Sequence, residues 1–515
     1  MGWPEAVGIH MSNRRIIENI SSNWANLAVT VAIAFLVSPV IVKSLGKELY
    51  GIWVLIVSVT GYFTVLDFGV NTAIIRYVSR SAAQKDYDGT RAVYSTSLAI
   101  FGIIALTILL FSLVFGYFFQ DFFKLYSLSR QYLYAVFMVS ALDLACGLFF
   151  SVYLSVLGGF QDFKFINYSS IVINIIKSII LIIFLKYGYS IMMLALLQLV
   201  FNSIKAICQY IKIKIKYNYM IFKKKYIDIE TIKSICNYSK YSFMIAIALK
   251  LLFYTDSVVI GALIGVSSVV FYAIPSSLLD YVEKFVWAMV AVLVPVISVN
   301  EANGNNAGNV RLYVVGTRYI LLVSMPVVIS LYFYGSDFIH IWMGPEIGER
   351  SKWVLKLLLI GFGISFSQLI AHGILKGISR HRILAYIMAA EALANLGMSI
   401  VLAKPYGIEG VAVGTLVPLV LASVAITIYS CRVLKIKIWH YLYKAYSGAL
   451  LGMLAAMVFV HLNALPADSY LTIFVLSSCV TLCFLVVALP VALEKEHKEI
   501  ITKKIYSIAL QLLPF

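Results

Sequence analysis

Apolar runs long enough to cross a lipid bilayer recur from one end of this chain to the other. The run Trp24–Val42 and the longer run Ala92–Gln120 contain no charged residue. A membrane-spanning helix needs about 20 mostly apolar residues. No water-soluble fold covers this much apolar surface, because 61% of the 515 residues are hydrophobic and only 13% are charged. The sequence therefore predicts an all-α polytopic membrane protein, since helices satisfy their own backbone hydrogen bonds in lipid.

The apolar windows predict about fourteen transmembrane helices. Their approximate ranges are 19–42, 49–68, 92–118, 132–156, 166–185, 188–211, 237–264, 270–298, 313–335, 353–375, 383–402, 410–431, 445–464 and 470–493.

The basic residues predict the orientation of these helices. If the N-terminus is cytoplasmic, 27 of the 41 Lys and Arg residues fall in cytoplasmic segments and 8 in external ones, with six inside spans. This excess follows the positive-inside rule, so we expect both termini of this multi-pass protein in the cytoplasm. The net charge of +17 is then directed at anionic lipids, and nucleic acid is not an expected partner.

The sequence repeats itself weakly with an offset near 219 residues. Gly46 aligns with Gly265, Arg91 aligns with Arg311, and four further short matches follow in the same order. We interpret this as two parallel six-helix lobes around a central cavity, followed by two extra helices in a 6+6+2 arrangement. The predicted parts are the N-lobe 19–211, a basic cytoplasmic loop 212–236, the C-lobe 237–431 and helices thirteen and fourteen in 432–493.

Both ends of the chain are predicted to be cytoplasmic segments. Residues 1–18 precede the first span, and residues 1–10 are interpreted as a tag or an over-extended start because Met11 is a plausible initiator. The tail 494–515 has apolar residues at helical spacing among lysines, which is typical of an amphipathic helix on the membrane surface.

Two sequence segments resemble a known transporter family. The first surrounds the second span, with the runs Leu45–Gly51 and Leu66–Ser79, and the second is Tyr254–Gly261 followed by Phe271–Ala273. They resemble the polysaccharide-transporter (Wzx-type) oligosaccharide flippases of the multidrug/oligosaccharidyl-lipid/polysaccharide exporter superfamily. The resemblance implies a flippase that moves polyprenyl-pyrophosphate-linked repeat units across the inner membrane by alternating access, for O-antigen or capsule biosynthesis. It also implies membrane lipids and a polysaccharide polymerase machinery as partners.

Three lysines near the centres of predicted spans are candidates for binding the substrate. Lys177, Lys250 and Lys284 each place a charge where insertion costs about 2.5–3.5 kcal/mol or more. A pyrophosphate would compensate these charges, and lysine suits a phosphate as a mobile point charge. Lys250 has no acid three or four residues away on its own helix, so we expect it to face the cavity between the lobes.

The acidic residues inside the spans have two interpretations. Asp280 lies four residues before Lys284, which favours an intrahelical pair, and Glu283 lies beside it. The remaining candidates would couple transport to protons or sodium ions. These candidates are Asp67, Asp256 and Glu391.

Two other functions compete with the flippase. A cation-coupled multidrug exporter of the same superfamily would share the fold, but it would need acids rather than lysines for cationic drugs. A polysaccharide polymerase or ligase is disfavoured because the sequence has no nucleophile–base pair, metal cluster or phosphate loop. We therefore expect a transporter, with no catalytic residue, no metal site and no cofactor.

Overall fold

The computed structural model describes residues 13–291, 293–378, 380–463 and 466–493. Within these ranges all regular structure is helical, with sixteen α-helices, three short 3-10 turns and no strand. The prediction of an all-α fold is confirmed. The predicted start at Met11 and the predicted amphipathic tail lie outside the described residues.

The helices α1 to α16 vary in length from 6 to 53 residues. In chain order they are Asn13–Tyr62, Val70–Ala83, Tyr87–Phe123, Arg130–Gly159, Phe163–Lys186, Ile191–Lys216, Ile229–Leu263, Val269–Ala291, Val294–Ala302, Asn306–Met343, Pro345–Arg350, Lys352–Phe366, Leu369–Gly377, His381–Val433, Ile438–Leu462 and Tyr470–Ala492.

Eleven helical stretches in the described part of the chain are long and apolar enough to cross a membrane. Two of them contain a bend, at Gly46 in α1 and at Gly407 in α14. Both glycines have a positive φ, 75° and 61° respectively, which a residue with a side chain adopts only with strain. Each bend lies between two predicted spans. The multi-pass membrane fold is confirmed, and the count of fourteen remains a prediction.

Backbone turns recur along the chain at the spacing of the predicted repeat. Eight of the twelve residues with positive φ in the described part of the chain form four pairs that are 219 or 220 positions apart. The pairs are Gly46 with Gly265, Lys85 with Gly304, Lys124 with Gly344, and Gly188 with Gly407. These pairs have the same offset as the predicted repeat, and the repeat itself remains a prediction.

The chain divides into two compact units. Each unit combines two segments that are separated in the sequence. The first comprises the residues up to Ile274 together with Met388–Thr415, and the second comprises Pro275–Ile387 and the residues from Leu416 onwards. Within the first unit, α2, α3 and α4 pack around a core that includes Ile74, Phe101 and Val152. The predicted lobes 19–211 and 237–431 remain predictions.

Within the second unit, α15 and α16 pack tightly on each other and on α10. A Cβ atom on Gly448 would lie 2.9 Å from Ala492 Cβ, and one on Gly452 would lie 2.8 Å from Phe484 Cδ2. Small residues at such positions let membrane helices approach closely. The shared core of these three helices includes Met325.

The connection between α6 and α7 is shorter than the predicted loop and is attached to α3. Arg91 donates from Nε to the carbonyl oxygen of Tyr219 at 2.9 Å, and burial raises the pKa of Tyr219 to about 12. At the start of α7, Asp228 accepts a hydrogen bond from the backbone of Thr231 at 2.8 Å. Hydrogen bonds from Thr231 lower the pKa of Asp228.

Candidate functional site

Lys250 lies on α7 against an aromatic ring and near an acid from another segment. Its Nζ is 5.3 Å from the ring centroid of Tyr254, one turn further along the same helix. The carboxylate of Asp67 is close enough to attract the ammonium electrostatically. Asp67 also accepts hydrogen bonds from the backbone N of Asn71 at 3.3 Å and from its Nδ2 at 3.0 Å. The acid that α7 lacks near Lys250 is thus supplied by the turn that precedes α2.

The packing of α1 against α7 positions the Tyr254 ring. A Cβ atom on Gly61 would lie 2.4 Å from Tyr254 Cζ, so only glycine leaves room for the ring there. On the same contact, the hydroxyls of Tyr62 and Thr255 are 2.8 Å apart and share a hydrogen bond. A ring that is held in this way presents its negative face to a cation.

A second group of charges lies among α4, α5 and α6. Asp143 accepts a hydrogen bond from Asn202 Nδ2 at 2.9 Å and attracts both Lys177 and Lys205. The two half-buried lysines are close enough to repel each other. Lys177 was predicted from the sequence, but Lys205 and its relation to Asp143 were not, because the three residues come from three different helices.

Two neighbouring cavities in the first unit share Trp53 and Gln198 as lining residues. The larger has a volume of about 320 Å³ and includes Lys177 and Asn174 in its wall. The smaller has a volume of about 150 Å³ and includes Asp143. An indole ring, amides and a lysine around a concave space are groups that can contact a sugar ring and hydrogen-bond to its hydroxyls.

Asp256 lies in a separate, fully buried polar cluster. Asp256 is 4% exposed. Oδ2 accepts hydrogen bonds from the Tyr272 hydroxyl and from Thr415 Oγ1 at 2.8 Å, and Oδ1 accepts one from Ser399 Oγ at 3.3 Å. Asn395 donates from Nδ2 to Thr415 Oγ1 at 3.0 Å. The bend at Gly407 makes this cluster, because it folds the two halves of α14 back on each other.

The Asp256 cluster has oxygen atoms suited to a small cation. Among the described residues, the polar neighbours of this carboxylate are hydroxyls and an amide, and none is a cation. The Oδ1 atom of the fully buried Asn395 has no hydrogen-bond partner in the described part of the chain. Carboxylate, hydroxyl and amide oxygens are ligands of hard cations, so the arrangement can hold a sodium ion or a proton. No group of three metal-binding side chains was found among the described residues.

The remaining predicted residues lie elsewhere. Lys284 pairs with Asp280 along α8, with Nζ 2.6 Å from Oδ2. Glu283 accepts a hydrogen bond from Trp287 Nε1 at 3.2 Å. Glu391 is buried, at 7% exposure.

A further basic group lies on α13 against Trp287, and the sequence did not predict that Lys376 belongs to it. Lys376 Nζ lies 5.3 Å from the ring of Trp287, and His372 lies against the same ring at 5.9 Å. Their positions on α13 gave no periodic signal that links them to α8.

The comparisons with known proteins agree with the fold. A family model described as "Polysaccharide biosynthesis protein" matches residues 16–301. A Shigella flexneri protein named "Putative O-antigen transporter" is 21% identical over 399 residues, which cover 77% of this chain and 93% of that protein. The uncharacterized membrane protein EpsK of Bacillus subtilis (strain 168) is 30% identical over 92 residues, 18% of each chain.

Two solved structures share the fold at low sequence identity. An inward-facing multidrug resistance MATE family transporter of the MOP superfamily matches with a TM-score of 0.66 and 14% identity, covering 84% of this chain and 96% of that one. The lipid II flippase MurJ, in an inward closed conformation, matches with a TM-score of 0.64 and 16% identity, covering 92% and 98%. The predicted resemblance is therefore confirmed. Because the family match spans more than half of the sequence, this chain belongs to the polysaccharide biosynthesis protein family, and it is a multi-pass membrane transporter rather than an enzyme.

Proposed function

We propose that this chain flips polyprenyl-pyrophosphate-linked oligosaccharide repeat units across the cell inner membrane by alternating access, in O-antigen or capsule biosynthesis. Membership of the family supports a role in polysaccharide biosynthesis. The names of two similar proteins, an O-antigen transporter and a lipid II flippase, support a lipid-linked saccharide as the cargo. Membrane lipids and a polysaccharide polymerase machinery are the partners that this function requires.

The surroundings of Lys250 are the observation that carries the proposal. An ammonium 5.3 Å from the Tyr254 ring and attracted by Asp67 is held without a rigid bidentate contact. A pyrophosphate would compete with Asp67 for this lysine, since it carries more negative charge and lysine binds phosphate as a point charge. Lys177 would offer a second cationic group next to the cavity that Trp53 lines. Lys284 is the weaker candidate, because Asp280 already compensates its charge.

Coupling to an ion would use Asp256. Its carboxylate is buried among neutral hydrogen-bonding groups, and a buried carboxylate without a basic partner is costly unless it binds a cation. Sodium ions and protons both fit this requirement. Asp67 is a second candidate, and its attraction to Lys250 would link ion binding to substrate binding.

A flipping assay with the purified full-length chain tests the function. The chain is reconstituted in vesicles with a polyprenyl-pyrophosphate-linked oligosaccharide, and the exposure of the sugar to an impermeant lectin is followed over time. We expect flipping by the unmodified chain, loss of flipping in Lys250→Ala and partial activity in Lys250→Arg. Lys233→Ala is the matched control, because Lys233 is an exposed lysine near the start of the same helix. Normal flipping by Lys250→Ala would show that this lysine is not needed to bind the pyrophosphate of the substrate.

The same vesicles separate the flippase from the alternatives. A multidrug exporter would move cationic dyes and would leave the lipid-linked sugar in its original leaflet. A polymerase or ligase would lengthen or transfer the glycan, which mass spectrometry of the recovered lipid would detect. Either result in place of flipping would overturn the proposal.

A further inference from the structure

A cavity of about 960 Å³ lies in the second unit, at the end where α10 begins and α14 gives way to α15. We propose that this cavity binds the headgroup of an anionic phospholipid that carries two phosphate groups. The site is independent of the residues assigned to substrate and ion binding. It would keep one specific lipid on α10, α15 and α16.

The lining of the cavity is basic. Two arginines come from α10, and the other basic side chains come from the turn after α14 and from the first turns of α15. They are Arg311, Arg318, Lys435, Lys437, His440 and Lys444. Among the described residues that line the cavity there is no acid, so these side chains together carry a positive charge. Basic pockets between membrane helices favour lipid headgroups with more than one phosphate.

The basic residues form two rows with matching spacing. Arg311 and Arg318 are seven residues apart on α10, and Lys437 and Lys444 are seven residues apart at the start of α15. Seven residues correspond to two helical turns and a rise of roughly 10 Å, so each pair lies on one face of its helix. A single phosphate cannot reach both ends of such rows. Two phosphates that are joined by a glycerol can.

Arg318 forms the inner end of the cavity and is already positioned. Its Nε donates to the carbonyl oxygen of Lys444 at 3.0 Å, and its Nη1 donates to the carbonyl oxygen of Ala492 at 2.7 Å. The guanidinium keeps further N–H groups for a phosphate. Because these two hydrogen bonds hold the guanidinium in place, binding requires little further ordering of the side chain.

The packing below this point excludes the acyl chains. Gly448 on α15 approaches α16 so closely that a Cβ atom would lie 3.0 Å from the carbonyl oxygen of Ala488. No lipid tail fits between α15 and α16 at this point, so the tails would run along the outside of the helices. Trp439 and Tyr443, which are 79% and 74% exposed, mark this end of α15 as the interfacial level where headgroups lie.

Native mass spectrometry of the purified full-length chain tests the proposal. The chain is titrated with cardiolipin, a phospholipid with two phosphates, and with phosphatidylcholine, polyprenyl pyrophosphate and free pyrophosphate in parallel. We expect saturable binding of cardiolipin in preference to phosphatidylcholine. Lys437→Gln combined with Lys444→Gln should weaken it by roughly thirtyfold, from about a fivefold effect per basic residue at a membrane surface. Lys186→Gln combined with Lys404→Gln changes the net charge equally at exposed positions and should leave binding unchanged.

Three outcomes would overturn the phospholipid site. The first is equal binding of cardiolipin and phosphatidylcholine, and the second is an equal loss in both double variants. The third is binding of polyprenyl pyrophosphate or free pyrophosphate that depends on Lys437 and Lys444 while cardiolipin binding does not, which would assign the cavity to the substrate. Failure of the flipping assay would not affect any of these readings, because no transport is measured here.

Discussion

Lys250 and Asp256 lie six residues apart on α7, and their surroundings differ because they face different neighbours. Lys250 is attracted electrostatically by Asp67, whereas Asp256 accepts hydrogen bonds from α8 and α14. In the sequence from Tyr241 to Leu263, Lys250 and Asp256 are the two charged residues. What each residue can bind therefore depends on whether its neighbours compensate its charge.

The first residue-scale prediction concerns Asp256. Asp256→Asn keeps the size of the side chain but removes the negative charge that a sodium ion or a proton would require. We expect flipping in vesicles to lose its response to an imposed sodium or proton gradient, and Thr415→Val to weaken that response without abolishing it. If Glu391→Gln removes the response and Asp256→Asn leaves it intact, the coupling site has been assigned to the wrong acid.

The second residue-scale prediction concerns the pair of lysines around Asp143. Asp143→Asn leaves Lys177 and Lys205 together without an acid, and removal of one partner from a buried charged group typically costs about 3–5 kcal/mol. The expected loss of folding stability here is smaller, about 1–3 kcal/mol, because both lysines are only half-buried. The melting temperature of the purified protein should fall, and adding Lys205→Gln should restore part of it. A double variant that is no better than the single one would show that these charges do not interact energetically.

At the scale of the helical elements, close approach depends on glycines at the contacts between helices. Gly51 on α1 is one of the tightest examples, because a Cβ atom there would lie 2.2 Å from the carbonyl oxygen of Val266. The neighbouring contact at Gly261 is similar, with Leu55 Cδ2 at 2.6 Å. In lipid, helices associate through shape rather than through the hydrophobic effect. These glycines consequently help to hold α1 on α7 and on the turn that follows it.

The element-scale prediction is that Gly51→Ala destabilises the protein. Overpacking of a close contact costs about 1–3 kcal/mol, and here the contacting atom belongs to the backbone and cannot rotate away. Gly147→Ala is the control, since a Cβ atom on Gly147 would meet nothing within 4 Å. We expect the melting temperature to fall in Gly51→Ala and to stay level or rise slightly in Gly147→Ala. Equal melting temperatures would contradict the close approach.

At the scale of the whole molecule, the predicted topology places the connection between α6 and α7 in the cytoplasm. A single cysteine at Lys223, in a chain whose six native cysteines are replaced, should resist an impermeant thiol reagent in intact cells. It should react once the cells are opened. A cysteine at Asn463, which is exposed at the end of α15 and lies at the predicted external end of the span 445–464, should react in intact cells. The reverse labelling pattern would invert the topology.

The sequence determined by itself what depends on composition and on local spacing. Lipid as the solvent followed from apolar windows of about 20 residues, and the bends at Gly46 and Gly407 lie where the sequence separates two spans. The pair of Asp280 and Lys284 was also predictable, because four residues on a helix are one turn apart.

Only the tertiary structure decided which charged residues from different helices meet. The approach of Asp67 to Lys250, the group of Asp143 with Lys205, and the cluster around Asp256 all join segments that are distant in sequence. The physical reason is that helical periodicity determines which residues share a face, but it does not determine which faces come together. Apolar helix surfaces are nearly equivalent to one another in lipid, so small residues and close packing select the partners, and that selection is a property of the folded chain.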